Sequence, residues 1–313
     1  MRKRETTSSS SLTFRVPIHT EAVRMLTEKT LVLGGGGLWG IAWMIGVIMG
    51  LEESGLDVRR SRAVIGTSAG SVVGAHVTST LATTELYERQ AVLQKQPRQR
   101  APDTKNQQAA FSLLLKKNWS DPEERLRAIV DLALNAQTIP WAQRRADIVE
   151  RLGLESDRWP TTPLLVTALD IDIHTLHTFD AASNVSLTDA IAASCAVPGI
   201  WPVAEIGRRR YIDGGVWRTA ENAHLAIDTP SVLILSPFGR QQAAFDALGS
   251  TLDDDIAQLR QGGSQVVLIA ADEPSLATIG PLGPLDPATR KPAAEAGRVQ
   301  GRREASALRQ SFI

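Results

Sequence analysis

Residues 29–51 read KTLVLGGGGLWGIAWMIGVIMGL, and this stretch decides the class of fold. The aliphatic run Lys29–Leu33 predicts a buried strand, the four glycines predict a tight loop, and the apolar run after them predicts a helix. No charged residue occurs over 31–51, which is long enough for a transmembrane helix. The glycines interrupt this run, and the remaining residues 38–51 rise about 21 Å, less than the roughly 30 Å of a hydrocarbon core. We therefore predict a buried core helix.

A second strand–helix unit follows the first. Residues 62–65 predict a short buried strand that ends at Gly66, and residues 69–81 predict a helix of small side chains. Two consecutive units of this kind indicate a parallel sheet. The polar stretch 83–160 predicts a helical insertion that contains a loop around 94–106. Further strands are predicted at 163–171, 175–179, 232–236 and 265–270, and helices near 84–94, 122–136, 141–152, 187–195 and 288–310.

The rest of the chain suggests a simple domain organisation. Because no internal repeat is present, residues 25–313 are interpreted as one α/β domain. Residues 1–24 are predicted to be a flexible polar leader, since the basic start continues into a Thr/Ser run instead of the apolar core of a secretory signal.

Composition restricts the possible partners and the compartment. The 34 basic and 34 acidic side chains give zero formal charge, so no nucleic-acid partner is predicted. A single cysteine, Cys195, excludes an intramolecular disulfide, and a reducing, cytoplasmic location is therefore expected. The five histidines leave few options for histidine-based catalysis or metal binding.

The first chemical motif is Gly66-Thr67-Ser68-Ala69-Gly70, a G-x-S-x-G at a predicted strand-to-helix junction. Flanking glycines allow a serine to occupy a strained turn with its hydroxyl exposed, as a nucleophile requires. Serine is also a common helix N-cap, which would explain Ser68 without chemistry. The position of both glycines favours the nucleophile.

The second motif is the glycine run 34–37, with Gly40 after it. Successive N–H groups at a helix N-terminus form a nest for a negatively charged oxygen. The glycines also satisfy the dinucleotide fingerprint G-x-G-x-x-G, but the acidic residue expected at the end of the second strand is missing, because residues 63–65 run directly into Gly66. An oxyanion hole is therefore the favoured interpretation.

The third motif is Tyr211-Ile212-Asp213-Gly214-Gly215, which places an acid at the end of a short strand. An Asp-Gly pair is also typical of a hairpin turn. The chain also contains a candidate serine and a candidate oxyanion nest. A catalytic role for Asp213 is therefore favoured over a simple hairpin turn.

Taken in order, these three motifs resemble the patatin-like phospholipase family. Residues 193–198 resemble the segment that precedes the family's Asp-Gly-Gly, and 168–172 resemble its core strand. The resemblance implies a three-layer α/β/α fold with a mostly parallel sheet. It also implies that Ser68 is the nucleophile, that Asp213 is its acid/base partner, and that Gly35, Gly36 and Gly37 supply the oxyanion hole. One departure is Trp39, where the family usually has Arg or Lys.

The expected function is hydrolysis of carboxylic esters of lipids through an acyl-enzyme, with no cofactor or metal and with only transient peripheral contact with a membrane. Two alternatives remain. A Ser-Asp-His triad esterase or thioesterase would have to use His224, the only histidine after Asp213. A non-catalytic lipid- or nucleotide-binding protein on the same fold is the other alternative, and Trp39 makes it plausible.

Overall fold

The computed structural model describes residues 29–98, 100–114, 116, 119, 121–239 and 250–312. The predicted leader, residues 1–24, lies outside these residues.

An eight-stranded mixed sheet forms the centre of the molecule. Its strands are β1 (Lys29–Leu33), β2 (Ala63–Thr67), β3 (Leu164–Asp170), β4 (Thr175–Phe179), β5 (Ala204–Ile206), β6 (Arg209–Asp213), β7 (Ser231–Ser236) and β8 (Gln265–Ala270). They are arranged in the order β5-β6-β3-β2-β1-β7-β8, with β4 also paired to β3. Strands β3, β2, β1, β7 and β8 are parallel to one another, whereas β4 and β6 run antiparallel to β3, and β5 runs antiparallel to β6. The predicted mostly parallel sheet is thus confirmed.

Helices cover both faces of this sheet. The helices are α1 (Gly37–Glu53), α2 (Ala69–Val77), α3 (Thr83–Ala91), α4 (Thr104–Leu114), α5 (Pro122–Asn135), α6 (Trp141–Leu152), α7 (Leu187–Ser194), α8 (Leu252–Gln261), α9 (Glu273–Leu276) and α10 (Arg290–Phe312). Three of them, α4, α8 and α9, were not predicted from the sequence. Helix α4 is polar and buries only Ala110 and Leu114, α8 has three consecutive aspartates in its first turn, and α9 is only four residues long.

Alternate side chains of the central strands pack on opposite sides of the sheet. In β1, Leu31 and Leu33 join the core that contains α1 and α10, whereas Val32 joins a second core with Ile256 and Leu259 of α8. Because successive side chains of a strand point to opposite faces, both faces of the sheet are buried. The architecture is therefore the expected three-layer α/β/α.

Helix α1, the apolar segment singled out in the sequence, is buried between the sheet and α10. The two helices meet at backbone contact through glycines: a Cβ added at Gly46 would lie 2.2 Å from the carbonyl oxygen of Ala294, and one added at Gly297 would lie 2.3 Å from that of Trp43. The predicted core helix is thus confirmed. Among the helices that the structure describes, none combines the length and apolarity needed to cross a membrane.

Candidate active site

Ser68 occupies a strained turn between β2 and α2. Its backbone has φ 53° and ψ −116°, a region that costs a non-glycine residue on the order of 1–3 kcal/mol. The turn is possible because Gly66 and Gly70 leave room for it: a Cβ at Gly70 would lie 1.9 Å from the carbonyl oxygen of Leu33. Ser68 stands at the N-cap position of α2 but makes no side-chain capping hydrogen bond. The N-cap alternative therefore does not account for this serine.

The residues around the turn hold the Ser68 backbone in place. The N–H of Ser68 donates to Ser194 Oγ at 2.8 Å, and its carbonyl oxygen accepts from Ser71 Oγ at 2.7 Å and from Cys195 Sγ at 3.3 Å. Burial raises the pKa of the Cys195 thiol. Cys195 thus remains protonated as a donor, in agreement with the interpretation of a packed thiol.

Strand β3 brings the serine and aspartate motifs together. Thr67 of β2 pairs with Thr167 of β3, and Asp213 of β6 pairs with the next residue, Ala168. Strand β4 pairs with the same two residues along one edge of β3. Strands β2 and β6 therefore both lie along the other edge, one after the other. The register of one strand therefore places the turn after β2 against the end of β6.

Asp213 is buried beside Ser68, and the Ser68 side chain is close enough to lower the pKa of this carboxyl. Its Oδ1 accepts from the N–H of Gly215 at 2.9 Å. Burial has the larger, opposite effect and raises the pKa of Asp213 from 3.8 to about 6, although Ser68, the Gly215 N–H and the nearby charge of Arg144 lower it. The carboxylate is thus mostly ionised at neutral pH and more basic than an ordinary aspartate.

The glycine loop before α1 supplies donors to the same place, with one difference from the prediction. The N–H of Gly35 donates to the carbonyl oxygen of Ala220 at 2.9 Å, which fixes the loop but engages that donor. Within the described residues, the N–H groups of Gly36, Gly37 and Leu38 have no protein acceptor, because the first turn of a helix leaves its donors unsatisfied. Of the three predicted oxyanion-hole glycines, Gly36 and Gly37 therefore have N–H groups available, whereas that of Gly35 is engaged within the loop, and Leu38 is an additional candidate donor.

Ser68, Asp213 and the glycine loop face a cavity of about 100 Å³ whose lining is mainly apolar. Phe111, Phe238, Pro284 and Leu285 also border a second cavity of about 850 Å³, between α4 and the loop after α9. The narrow pocket that contains Ser68 and Asp213 thus adjoins a wider one. Other apolar residues that line the narrow pocket are Leu38, Ile41, Leu114, Val197, Trp201 and Val216.

Comparison with known families agrees with this geometry. A family model described as patatin-like phospholipase matches residues 31–225, more than half of the chain. The protein belongs to the patatin-like phospholipase family. The match covers all three motifs, from the first strand to beyond Asp213.

Solved structures with a similar fold include two bacterial proteins, VipD and ExoU. VipD from Legionella pneumophila is 14% identical with a TM-score of 0.43, over 90% of this chain and 67% of VipD. The type III effector ExoU is 20% identical with a TM-score of 0.42, over 91% of this chain and 54% of ExoU. ExoU bound to SpcU, from Pseudomonas aeruginosa, is 16% identical with a TM-score of 0.40. The chain thus spans about half the length of ExoU. A search of curated proteins gave no significant match.

Trp39 stands at the motif position where the family usually has Arg or Lys, but its side chain packs in the core and does not line the pocket. Its side chain is fully buried, stacks between Trp43 and Phe238, and donates from Nε1 to Thr278 Oγ1 at 2.8 Å. Trp39 is therefore a core residue that anchors α1, and it leaves the loop donors unobstructed.

The histidines described by the structure lie away from the pocket lining. Nε2 of His76 contacts the Leu152 carbonyl oxygen at 3.0 Å, and burial lowers the pKa of this histidine to about 4. His224, the triad alternative, lies with Nδ1 at 3.6 Å from Asp255 rather than beside Asp213. The arrangement of the described residues thus provides a serine–aspartate pair without a histidine.

Asn222 lies next to the candidate site, and no sequence motif indicated it. It is fully buried with φ 51°, a conformation that asparagine tolerates better than most residues. Its Nδ2 donates to Thr67 Oγ1 at 3.2 Å and to the Gly214 carbonyl oxygen at 3.1 Å. Asn222 therefore ties the residue before Ser68 to the residue after Asp213.

Proposed function

We propose that this protein hydrolyses carboxylic esters of lipids through a Ser68–Asp213 dyad. The observation that carries the proposal is the position of the strained Ser68 beside a buried Asp213 whose pKa is about 6, in one pocket. A base with a pKa near the operating pH is suited to proton transfer. Membership of the patatin-like phospholipase family supports the same activity.

The reaction would proceed in two steps on these residues. Ser68 Oγ attacks the ester carbonyl while its proton passes to Asp213, and the N–H groups of Gly36, Gly37 and Leu38 stabilise the oxyanion. Collapse of the tetrahedral intermediate expels the alcohol, which takes the proton from Asp213, and leaves an acyl-Ser68. Water then attacks the acyl carbonyl while its proton passes to Asp213. Asp213 returns this proton to Ser68 Oγ as the acyl bond breaks, and the carboxylic acid is released. The apolar pocket favours this chemistry because it keeps the Ser68–Asp213 pair away from bulk water.

The shape of the cavity supports a lipid substrate. The narrow pocket fits the ester and the start of an acyl chain, and the adjoining cavity of about 850 Å³ provides room for more of that chain. Leu282, which borders the wider cavity, is 64% exposed and offers an apolar contact for a membrane surface. Transient peripheral contact with a membrane is therefore part of the proposal.

A fluorophosphonate probe tests the nucleophile directly. We expect the probe to label the wild-type protein and Ser231→Ala, but not Ser68→Ala. Ser231 is the matched control, because it is a buried serine at the start of β7 that does not line the pocket. Labelling of Ser68→Ala at the wild-type rate would refute the proposal.

Release of p-nitrophenol from short and medium acyl esters tests the dyad. Asp213→Asn is expected to abolish activity, whereas His224→Ala is expected to retain it, since His224 contacts Asp255. Loss of activity in a folded His224→Ala would instead favour the triad.

A further inference from the structure

Three arginines line the catalytic pocket, although the motif position held by Trp39 has no charge. Arg144 and Arg151 lie seven residues apart on α6, and therefore on the same face of the helix, while Arg100 approaches from the preceding loop. Among the described residues of the lining, Asp213 is the single acidic one. An excess of positive charge thus faces a pocket that is otherwise apolar.

Arg144 differs from the other arginines of this group. Its side chain is 1% exposed, and its Nε has no hydrogen-bond acceptor within the described part of the chain. The guanidinium lies over the Trp201 ring, with Cζ 3.9 Å from the ring centroid, and this contact restrains its position. Arg100, by contrast, is paired with Asp147 at 3.1 Å.

A buried arginine elsewhere in the fold shows what a purely structural role looks like. Arg290 on α10 is 3% exposed and donates to Gln90 Oε1 at 2.8 and 3.0 Å and to the Arg89 carbonyl oxygen at 2.8 Å. A buried charge without such partners is unfavourable for folding. Burial lowers the pKa of Arg144 to about 9, with a further contribution from Arg151, so Arg144 remains charged at neutral pH. The fold thus keeps a charged, oriented and unsatisfied donor at the pocket wall.

We propose that Arg144 binds a phosphate oxygen of the substrate in the pocket that it shares with Ser68 and Asp213, and that this one residue sets the preference of the site for phosphate-bearing ester lipids over neutral acylglycerols. The proposal rests on the function proposed above and names a specificity-determining residue of that site. A planar guanidinium matches the spacing of two phosphate oxygens, and Trp201 holds it in place. Since the chain has no net charge, attraction of an anionic substrate has to come from local charges of this kind.

Binding measured without turnover tests the phosphate site independently of hydrolysis. In the Ser68→Ala background, octyl phosphate and octyl glucoside are titrated below their micellar concentrations by calorimetry. We expect octyl phosphate to bind at least tenfold more tightly, and we expect Arg144→Gln to remove this preference. Arg144→Lys, which keeps the charge but loses the planar contact with Trp201, should retain part of the preference. Equal binding of the two ligands to Ser68→Ala itself would overturn the proposal.

Arg290→Gln in the same background is the matched control, because it removes a buried arginine that does not line the pocket. It should leave the preference for octyl phosphate unchanged. Equal loss of preference in Arg144→Gln and Arg290→Gln would also overturn the proposal, since the effect would then come from removing any buried arginine. If Arg144→Gln does not fold, the comparison of Arg144→Lys with the parent gives the same decision.

Turnover separates this proposal from the proposed function. With Ser68 intact, Arg144→Gln should lower kcat/KM for a diacyl phosphatidylglycerol in mixed micelles by about 10- to 100-fold, and that for p-nitrophenyl butyrate by less than threefold. Equal losses on both esters would overturn the phosphate site while leaving the hydrolase intact. Absence of hydrolysis of either ester by the wild type would overturn the proposed function, and the calorimetric comparison would still decide on Arg144.

Discussion

Replacing Asp213 with asparagine should stabilise the fold at neutral pH while abolishing activity. Folding raises the pKa of this carboxyl from 3.8 to about 6, because burial disfavours the charged form. Between these two values the folded state binds more protons than the unfolded state, so the free energy of unfolding falls as the pH rises. At about 1.4 kcal/mol per pKa unit, the loss amounts to on the order of 3 kcal/mol by pH 7. Asparagine does not titrate and still accepts from the N–H of Gly215.

Equilibrium unfolding in urea at a series of pH values measures this effect. Asp213→Asn and the wild type should have similar stability below pH 4, and the variant should become more stable by about 3 kcal/mol at pH 7 and above. The control is Asp131→Asn, which removes an exposed carboxylate on α5. A stability difference that does not depend on pH, or a less stable Asp213→Asn at pH 7, would refute the argument that burial of this charge costs folding energy.

Three further substitutions test the strain, the positioning network and the helix contact. Ser68→Gly should be more stable than Ser68→Ala by about 1 kcal/mol, because only glycine relieves the positive φ, and equal thermal stability of the two inactive variants would count against strain at this turn. Asn222→Gly, which keeps the backbone conformation but removes the amide, should lower kcat about tenfold or more with KM nearly unchanged; an unchanged kcat would exclude a positioning role. Gly297→Ala should destabilise the protein by about 1–3 kcal/mol in urea unfolding, since its Cβ would overlap the Trp43 carbonyl, whereas Val299→Ala at a 64% exposed position of the same helix should change stability little. Equal effects of the last two would contradict backbone contact between α1 and α10.

The sequence predicted the elements whose cause is local. Strands such as Thr175–Phe179 and Gln265–Ala270 are found where the sequence predicted them, and the strand–turn–helix around Ser68 follows from its glycines. Of the helices that were missed, α4 and α8 have polar surfaces whose burial depends on neighbours distant in sequence, and α9 is only four residues long. Local patterns therefore predicted most of the sheet and fewer of the covering helices.

The candidate site also combines features that local sequence predicts with features that depend on distant parts of the chain. Ser68 and Asp213 were recognisable as motifs, but their contact depends on the register of β3, which no local pattern specifies. The engagement of Gly35 by the Ala220 carbonyl is a long-range hydrogen bond of the same kind. Arg144 looked like one of many charged residues on a polar helix, and only its position over Trp201 in the fold distinguishes it.

Arg144 and Asp213 are electrostatically coupled, and this coupling makes the pH profile depend on the substrate. The positive charge of Arg144 lowers the pKa of Asp213, against the larger opposite effect of burial. A phosphate group bound to Arg144 would offset that charge, so the pKa of Asp213 should be higher in the complex than in the free enzyme. Because kcat/KM reports the free enzyme and kcat the complex, the acidic limb of kcat for phosphatidylglycerol should lie at higher pH than that of kcat/KM, which should have its midpoint near pH 6. A neutral ester should show no such displacement, and Arg144→Gln should move the kcat/KM limb upward. Coincident limbs for phosphatidylglycerol in the wild type would mean that the phosphate does not bind next to the guanidinium.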